Sequence, residues 1–132
     1  MSPEATAVTT RIEILRQEIA ADRMALARHE ADAALIDDLW RQGPADRATL
    51  AWSAVALHAW YTGFEGILER VARALDRLVP EGDRSHTELL RQMQLEIAGV
   101  RPALVPSELA LELDELRKFR HFFRHAYHVE LD

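Results

Sequence analysis

The sequence predicts an all-α fold, an antiparallel bundle of about four helices in one domain. Five glycines and five prolines are few for 132 residues, and because these residues mark most turns, the elements between them should be few and long. Apolar residues recur at helical spacing along most of the chain, and no run of alternating β-branched residues indicates a strand. We therefore expect one helical domain over residues 1–132, with residues 1–9 as a flexible N-terminal tail.

The first predicted helix runs from about residue 10 to residue 41 and ends at the turn sequence 42–44. One seven-residue register along it is apolar throughout: Ile12, Ile19, Leu26, Ala33 and Trp40. The companion register is only half apolar: Leu15, Asp22, His29 and Ile36. This pattern favours an outer helix that buries one narrow stripe.

The second predicted helix, from about residue 46 to residue 78, carries an unbroken apolar stripe with alternating spacings of four and three. Its members are Leu50, Ala54, Leu57, Tyr61, Phe64, Leu68, Val71, Leu75 and Leu78. Further apolar residues on its other faces predict that this is the central, most buried helix. Gly63 and Gly66 each cost about 1 kcal/mol relative to alanine in a helix, which predicts that another backbone approaches closely there.

A turn at residues 80–83 precedes a shorter third helix. Ser85 and Glu88 have the spacing of a capping box, and the helix is expected to stop near Gly99. Two prolines make residues 101–106 an extended connection. Ser107 then caps the last helix, which continues to about residue 127.

The last helix has two contrasting faces at about 100° per residue. One is apolar: Leu116, Phe119, Phe122, Phe123, Ala126 and Val129. The other is basic: Arg117, Arg120, His121, Arg124, His125 and His128. Residues 117–128 contain four of the 16 Arg and Lys residues and no acid, so the rest of the chain has 12 bases against 22 acids. An acidic ligand is therefore expected to bind this face.

Several classes of site are disfavoured. His121, His125 and His128 have a spacing that can converge on one metal ion, but the arginines among them would repel a divalent cation, and we predict no metal site. The chain has no cysteine, which excludes a zinc ribbon and a thiol nucleophile. It also has no glycine-rich phosphate loop, and we predict no cofactor.

The chain is also expected to be cytoplasmic, without a membrane partner. No apolar run approaches the roughly 18 residues of a membrane-spanning helix, and the first residues do not resemble a signal peptide.

The basic face contains a motif of Arg120, four residues, His125, one residue and Tyr127. Together with segments 61–72, 86–93, 101–102 and 113–120, this motif resembles the HEPN superfamily, and specifically its HepT-like ribonuclease toxins from bacterial and archaeal toxin–antitoxin pairs. The resemblance covers about residues 10–132.

The resemblance implies a metal-independent endoribonuclease toxin of a type VII-like pair, in which the ribose 2′-hydroxyl attacks the adjacent phosphate. It implies Arg120 and His125 as catalytic residues of a homodimer and Arg117, His121 and Arg124 as RNA-binding residues, with tRNA and mRNA both open as substrates. It further implies a small nucleotidyltransferase antitoxin that silences the toxin by attaching AMP to Tyr127.

Two alternatives remain at this point. One is a HEPN module without nuclease activity, which would bind nucleotides or substrates as the partner of a nucleotidyltransferase. The other is a purely structural helical dimer. The Arg120 and His125 pair favours the nuclease, because phosphate binding needs cations but does not need a titratable base.

Overall fold

A computed structural model of the chain describes the backbone of residues 1–126, with the side chains up to residue 122 and that of residue 125. Its four α-helices are α1 (Pro3–Arg41), α2 (Arg47–Val71), α3 (Ser85–Met93) and α4 (Ser107–Ala126). A π-helical turn, Ala72–Asp76, extends α2. α1 and α4 both run antiparallel to α2, and α3 packs against the C-terminal end of α2. The predicted all-α bundle is confirmed, although only three of its helices are long.

The first helix begins earlier than the sequence predicted. Ser2 is its N-cap, and the Ser2 hydroxyl accepts a hydrogen bond from the Ala5 amide at 3.1 Å. Pro3 fits the first helical position because its missing N–H has no partner there, and Glu4 suits the positive end of the helix dipole. Residues 3–9 therefore belong to α1, and the prediction of a tail over residues 1–9 is corrected for them.

The buried stripe of α1 differs from the seven-residue register. Leu15, Leu26 and Ile36 are buried, whereas Ile12 and Trp40 are 51% and 43% exposed. A straight helix has 3.6 residues per turn, so a strict seven-residue register drifts by about 20° per repeat. The buried residues are instead spaced by about three full turns, which keeps them on the side that faces α2.

α2 is the central helix, as predicted. Asp46 is its N-cap and accepts a hydrogen bond from the Thr49 amide at 2.8 Å. The other helices of the described chain all pack against α2 or its π-helical extension. The extension ends at Arg77 in the left-handed conformation, with φ of 58°. The chain turns there, which leaves Leu78, the last residue of the predicted stripe, 65% exposed.

The main buried cluster lies at the C-terminal end of α2, where α3, the 101–106 connection and the first half of α4 meet it. Its buried members are Leu68, Val71, Ala72, Leu89, Leu90, Met93, Val105, Ala110 and Leu113. The opposite end of the bundle is packed more openly. There a groove of about 670 Å³ separates α1 from α4.

The predicted capping box of α3 is wrong. Ser85 is the first residue of the helix, and Arg84 occupies the N-cap position without a side-chain cap. The Ser85 amide instead donates to the Gly82 carbonyl at 3.1 Å, so the preceding turn already satisfies it.

The C-terminal end of α3 also differs from the prediction. The helix stops at Met93, not near Gly99. The Met93 carbonyl accepts hydrogen bonds from the amides of Leu104 and Val105 at 2.9 and 3.0 Å. The predicted extended connection at 101–106 is confirmed. Its amides bond to the Met93 carbonyl, which would otherwise accept a hydrogen bond from a further helical turn. α4 then begins at Ser107 itself, and the Ala110 amide donates to the Pro106 carbonyl.

The two glycines of α2 have different surroundings. A Cβ atom at Gly63 would lie 2.9 Å from Cδ2 of Leu26, whereas a Cβ atom at Gly66 would meet nothing within 4 Å. The predicted close approach is therefore present at Gly63, but the neighbour is a side chain of α1 and not a backbone.

Candidate functional site

Arg120 of α4 lies against α2. Its Nη1 atom is 3.3 Å from Nδ1 of His58, and its guanidinium carbon is 5.0 Å from the centroid of the Tyr61 ring. The second distance is within the range of a cation–π interaction. Arg120 is half-buried, so the motif arginine is held in the seam between the two helices and is not a fully solvated surface residue.

Tyr61 provides the aromatic surface beneath Arg120. The residue is only 2% exposed, as its place in the predicted apolar stripe of α2 requires. Burial raises the pKa of Tyr61 to about 12, and the Glu65 carboxylate adds to this shift, although the charges of Arg120 and Arg117 oppose it. The phenol therefore stays neutral at physiological pH and offers Arg120 an aromatic ring, not a phenolate.

Glu65 extends the same polar seam toward α3. Both of its carboxylate oxygens lie 2.7 Å from Nδ1 of His86, and its side chain is only 15% exposed. The carboxylate is largely buried and joins α2 to α3 through His86.

Arg117 is engaged within its own helix. Its Nε and Nη2 atoms lie 3.2 and 2.9 Å from Oδ1 of Asp114, and Nζ of Lys118 is 3.1 Å from the other oxygen of the same carboxylate. The hydrogen bond from Arg117 is the main reason that the pKa of Asp114 is lowered, and the bond from Lys118 adds to it. One acid just before the basic segment thus pairs with two of its four arginine and lysine residues.

His121 and His125 lie on the solvent-facing side of α4. Both are exposed, and their ring centroids are 4.4 Å apart in an edge-to-face arrangement. The structure therefore brings His125 together with His121, while it brings Arg120 to His58 and Tyr61. The side chain of Arg124 and all of Tyr127 and His128 lie outside the described residues.

The predicted division of α4 into a buried apolar face and an open basic face needs correction. Phe119 and Phe122 are 49% and 58% exposed, whereas Arg120 points into the seam with α2. The α2-facing side of α4 includes Ala110 and Leu113, which are buried, and continues at Arg120, seven residues after Leu113. The side of α4 that packs against α2 is therefore partly polar.

The open groove of about 670 Å³ lies beside α4, which contributes Leu116 and Phe119 to its wall. Its walls come from α1, α2 and α4, and its aromatic members are Trp40, Trp60 and Phe119. The indole N–H groups of Trp40 and Trp60 donate to Ser53 and Glu30. The groove is thus a mainly apolar surface beside the motif helix.

Residues 53–132 match a family model described as HepT-like protein. The match covers more than half of the chain and includes His58, Tyr61, Arg120 and His125. The chain belongs to the HepT-like family. Family membership places it in the HEPN superfamily, and the family is associated with ribonuclease activity, toxin–antitoxin pairing and dimerisation. Comparisons with curated proteins and with solved structures each found no significant match.

Two other features of the described residues bear on the kind of site. None of the helices within residues 1–126 combines the length and apolar character that crossing a bilayer requires. In the same part of the chain, no three His, Cys, Asp or Glu side chains are grouped so that they could hold a metal ion. One of the three histidines whose spacing was considered for a metal ion, His128, lies outside the described residues.

His58 is a residue of this candidate site that the sequence analysis did not predict. It lies 62 residues from Arg120, so no local spacing connects the two. A weaker signal was present: His58, Tyr61 and Glu65 fall within about 60° on one side of a helix. A histidine and a carboxylate that flank a tyrosine on the central helix indicate a polar seam.

Proposed function

We propose that this HepT-like chain is a metal-independent endoribonuclease and the toxin of a type VII-like toxin–antitoxin pair. The observation that carries the proposal is the setting of Arg120. Its guanidinium is held by a histidine and an aromatic ring, and no carboxylate of the described chain forms an ion pair with it. A half-buried cation that is oriented but not neutralised is suited to a phosphate.

The reaction follows from the residue types. The ribose 2′-hydroxyl loses its proton to a histidine and its oxygen bonds to the adjacent phosphorus, while the bond from phosphorus to the 5′-oxygen breaks. A second histidine in its protonated form donates a proton to the leaving 5′-oxygen. Arg120 stabilises the negative charge that grows on the phosphoryl oxygens. The products are a 2′,3′-cyclic phosphate and a 5′-hydroxyl.

A homodimer would supply the two histidines. Arg120 and His125 are separated by about 140° around α4 and contact different partners within one copy. Two copies related by a two-fold axis would place two Arg120 and two His125 side chains in one cleft. The exposed rings of Phe119 and Phe122 and the adjoining groove offer apolar area to such a pairing.

The remaining basic residues are proposed to hold the RNA backbone. His121 contacts His125 and is therefore well placed for a phosphate next to the cleaved bond. Arg117 would exchange its partly exposed pairing with Asp114 for an RNA phosphate, which costs little because ion pairs near the surface contribute only about 0–1 kcal/mol. Arg124 completes the proposed RNA-binding set.

The proposed control point is Tyr127, which the partner nucleotidyltransferase would modify with AMP. The added phosphate would bind the arginines of the motif helix and the adenosine would block the path of the RNA. Tyr127→Phe should remain an active nuclease but escape silencing by the cognate enzyme and ATP, with intact mass as the readout. Equal silencing of the variant would contradict this role.

The nuclease proposal is tested by cleavage of RNA in excess EDTA. We expect cleavage to persist and to leave a 2′,3′-cyclic phosphate, and His125→Ala to lower the rate by about 100-fold or more. Arg84→Ala, an exposed change at the start of α3, is the matched control and should retain the wild-type rate. Activity that EDTA abolishes and a divalent ion restores would contradict the mechanism. RNA binding without cleavage would favour the non-nuclease HEPN module.

A further inference from the structure

The strongest unassigned feature is the pair of α2 side chains that hold Arg120. His58 and Tyr61 lie one turn apart on α2, and both contact the same guanidinium. We call these two residues the Arg120 clamp. Tyr61 is 2% exposed and His58 is half-buried, so the clamp is built into the bundle and is not a chance surface contact.

The contacts of Arg120 differ from those of Arg101, an arginine with a purely structural role. Arg101 is 2% exposed at its side chain and is neutralised by Asp76. Arg120 instead meets a neutral ring and an imidazole nitrogen, and no carboxylate of the described chain pairs with it. An arginine that only joined two helices would gain more from a carboxylate. The clamp therefore fixes the position of the Arg120 guanidinium without balancing its positive charge by a carboxylate.

We propose that His58 is a positioning residue for Arg120. The N–H groups of a guanidinium can only donate, so Nδ1 of His58 is the acceptor in its contact with Nη1 of Arg120. The guanidinium has five N–H donors, and one bond to His58 leaves others for an anion.

The ligand assignment rests on the proposed function, because it takes the anion at Arg120 to be an RNA phosphate. A free arginine side chain loses considerable rotamer freedom when it binds. The clamp removes that freedom before the RNA arrives, and binding is tighter as a result. His58 thus acts on RNA through Arg120 and does not itself need to touch the substrate.

The test uses a 2′-O-methyl oligoribonucleotide, which has phosphates but no 2′-hydroxyl nucleophile, so binding is measured without cleavage. His58→Leu removes the acceptor and should weaken binding by about tenfold, whereas His58→Asn keeps an acceptor close to the Nδ1 position and should restore most of it. Thr62→Leu places the same side chain at an exposed site on α2 and should bind like wild type.

A double-mutant cycle separates positioning from general structure. In the Arg120→Met background, His58→Leu should change affinity by less than about twofold, since the residue that it positions is gone. Equal losses with and without Arg120 would overturn the proposal, as would a failure of His58→Asn to bind better than His58→Leu. Thermal melting of every variant identifies any that fail to fold.

A measurement without RNA keeps the two proposals distinguishable. In ¹⁵N-arginine spectra of the unbound protein, Arg120 should have separate, slowly exchanging Nη signals that disappear in His58→Leu and return in His58→Asn. A wild-type protein that binds the oligonucleotide but leaves natural RNA intact would contradict the ribonuclease and not the clamp. Arg120 signals that are identical in the wild type and in His58→Leu would overturn the clamp whatever the RNA does.

Discussion

At the scale of single residues, the most complete interaction in the described chain is that of Arg101. Its guanidinium donates to both carboxylate oxygens of Asp76 at 2.7 and 2.8 Å, and to the carbonyls of Gln92, Leu95 and Pro102. All five N–H donors of an arginine are thereby used. Because the side chains of Arg101 and Asp76 are only 2% and 7% exposed, this ion pair ties the connection before α4 to the end of α2.

Replacement of one partner of this ion pair should be strongly destabilising. Arg101→Met leaves the Asp76 carboxylate buried without its cation, and we expect the free energy of unfolding to fall by about 3–5 kcal/mol. Urea denaturation measures this free energy. The control variant Arg84→Met, at an exposed arginine, should change the free energy of unfolding by less than about 0.5 kcal/mol. A loss below about 1 kcal/mol for Arg101→Met would mean that the ion pair contributes little.

The same ion pair should make stability depend on pH. The hydrogen bond from Arg101 is the main reason that the pKa of Asp76 lies below its usual value. A carboxyl with a lowered folded-state pKa stabilises the protein fully above its unfolded pKa and loses that contribution as the pH falls through the folded value. The stability difference between wild type and Asp76→Asn should therefore shrink from about pH 6 to about pH 3. A constant difference in urea titrations at the two pH values would contradict this.

At the scale of elements, the packing of α1 on α2 includes one arginine that pairs with two acids and one close approach at a glycine. Arg70 of α2 pairs with Glu18 and Asp22 of α1, but these side chains are partly exposed and the pairs are correspondingly weak. The close approach of Leu26 to Gly63 is a stronger constraint, because a buried leucine has little room to move.

The two glycines of α2 provide a matched test of that approach. Gly66→Ala should raise the free energy of unfolding by about 1 kcal/mol, since the site is open and alanine favours the helix. Gly63→Ala gains the same propensity but forces Leu26 aside, so it should be less stable than Gly66→Ala by about 1–3 kcal/mol. Thermal and urea unfolding of the two variants measure the difference. Equal stabilities would indicate that Leu26 adjusts without cost.

At the scale of the whole molecule, the bundle is asymmetric. The buried cluster joins α2, α3 and the start of α4, whereas the other end carries the open groove and the exposed rings of Phe119 and Phe122. A second copy that packed there would bury apolar area and bring two motif helices together, which is the arrangement that the proposed nuclease needs.

Complementation between two inactive variants tests the shared site. Arg120→Ala and His125→Ala should each lower cleavage by about 100-fold or more, and mixed dimers should recover part of the lost activity because their cleft contains one Arg120 and one His125. The matched control mixes His125→Ala with the double variant, which should recover none. A lack of recovery in the first mixture, or a monomer in light scattering at micromolar concentration, would contradict a site made by two copies.

The sequence by itself determined the all-α class, the central place of α2, the extended connection at 101–106 and the family. The first three follow from apolar periodicity and turn residues, which act over a few neighbouring positions, and the family follows from the resemblance of the Arg120 motif and its companion segments. The apolar registers did not show where α1 begins, because its start is set by the local cap at Ser2. They did not show where α3 ends, because the Met93 carbonyl accepts from the amides of Leu104 and Val105 outside the helix.

Only the tertiary structure decided which side of α4 faces α2, and with it the partners of Arg120. The contacts that hold Arg120 and Arg101 join residues far apart in the chain, 62 positions for His58 and Arg120 and 25 for Asp76 and Arg101. Such pairs depend on the angle and register at which whole helices pack. That geometry is set by the sum of all side chains in the interface, and no local pattern encodes it.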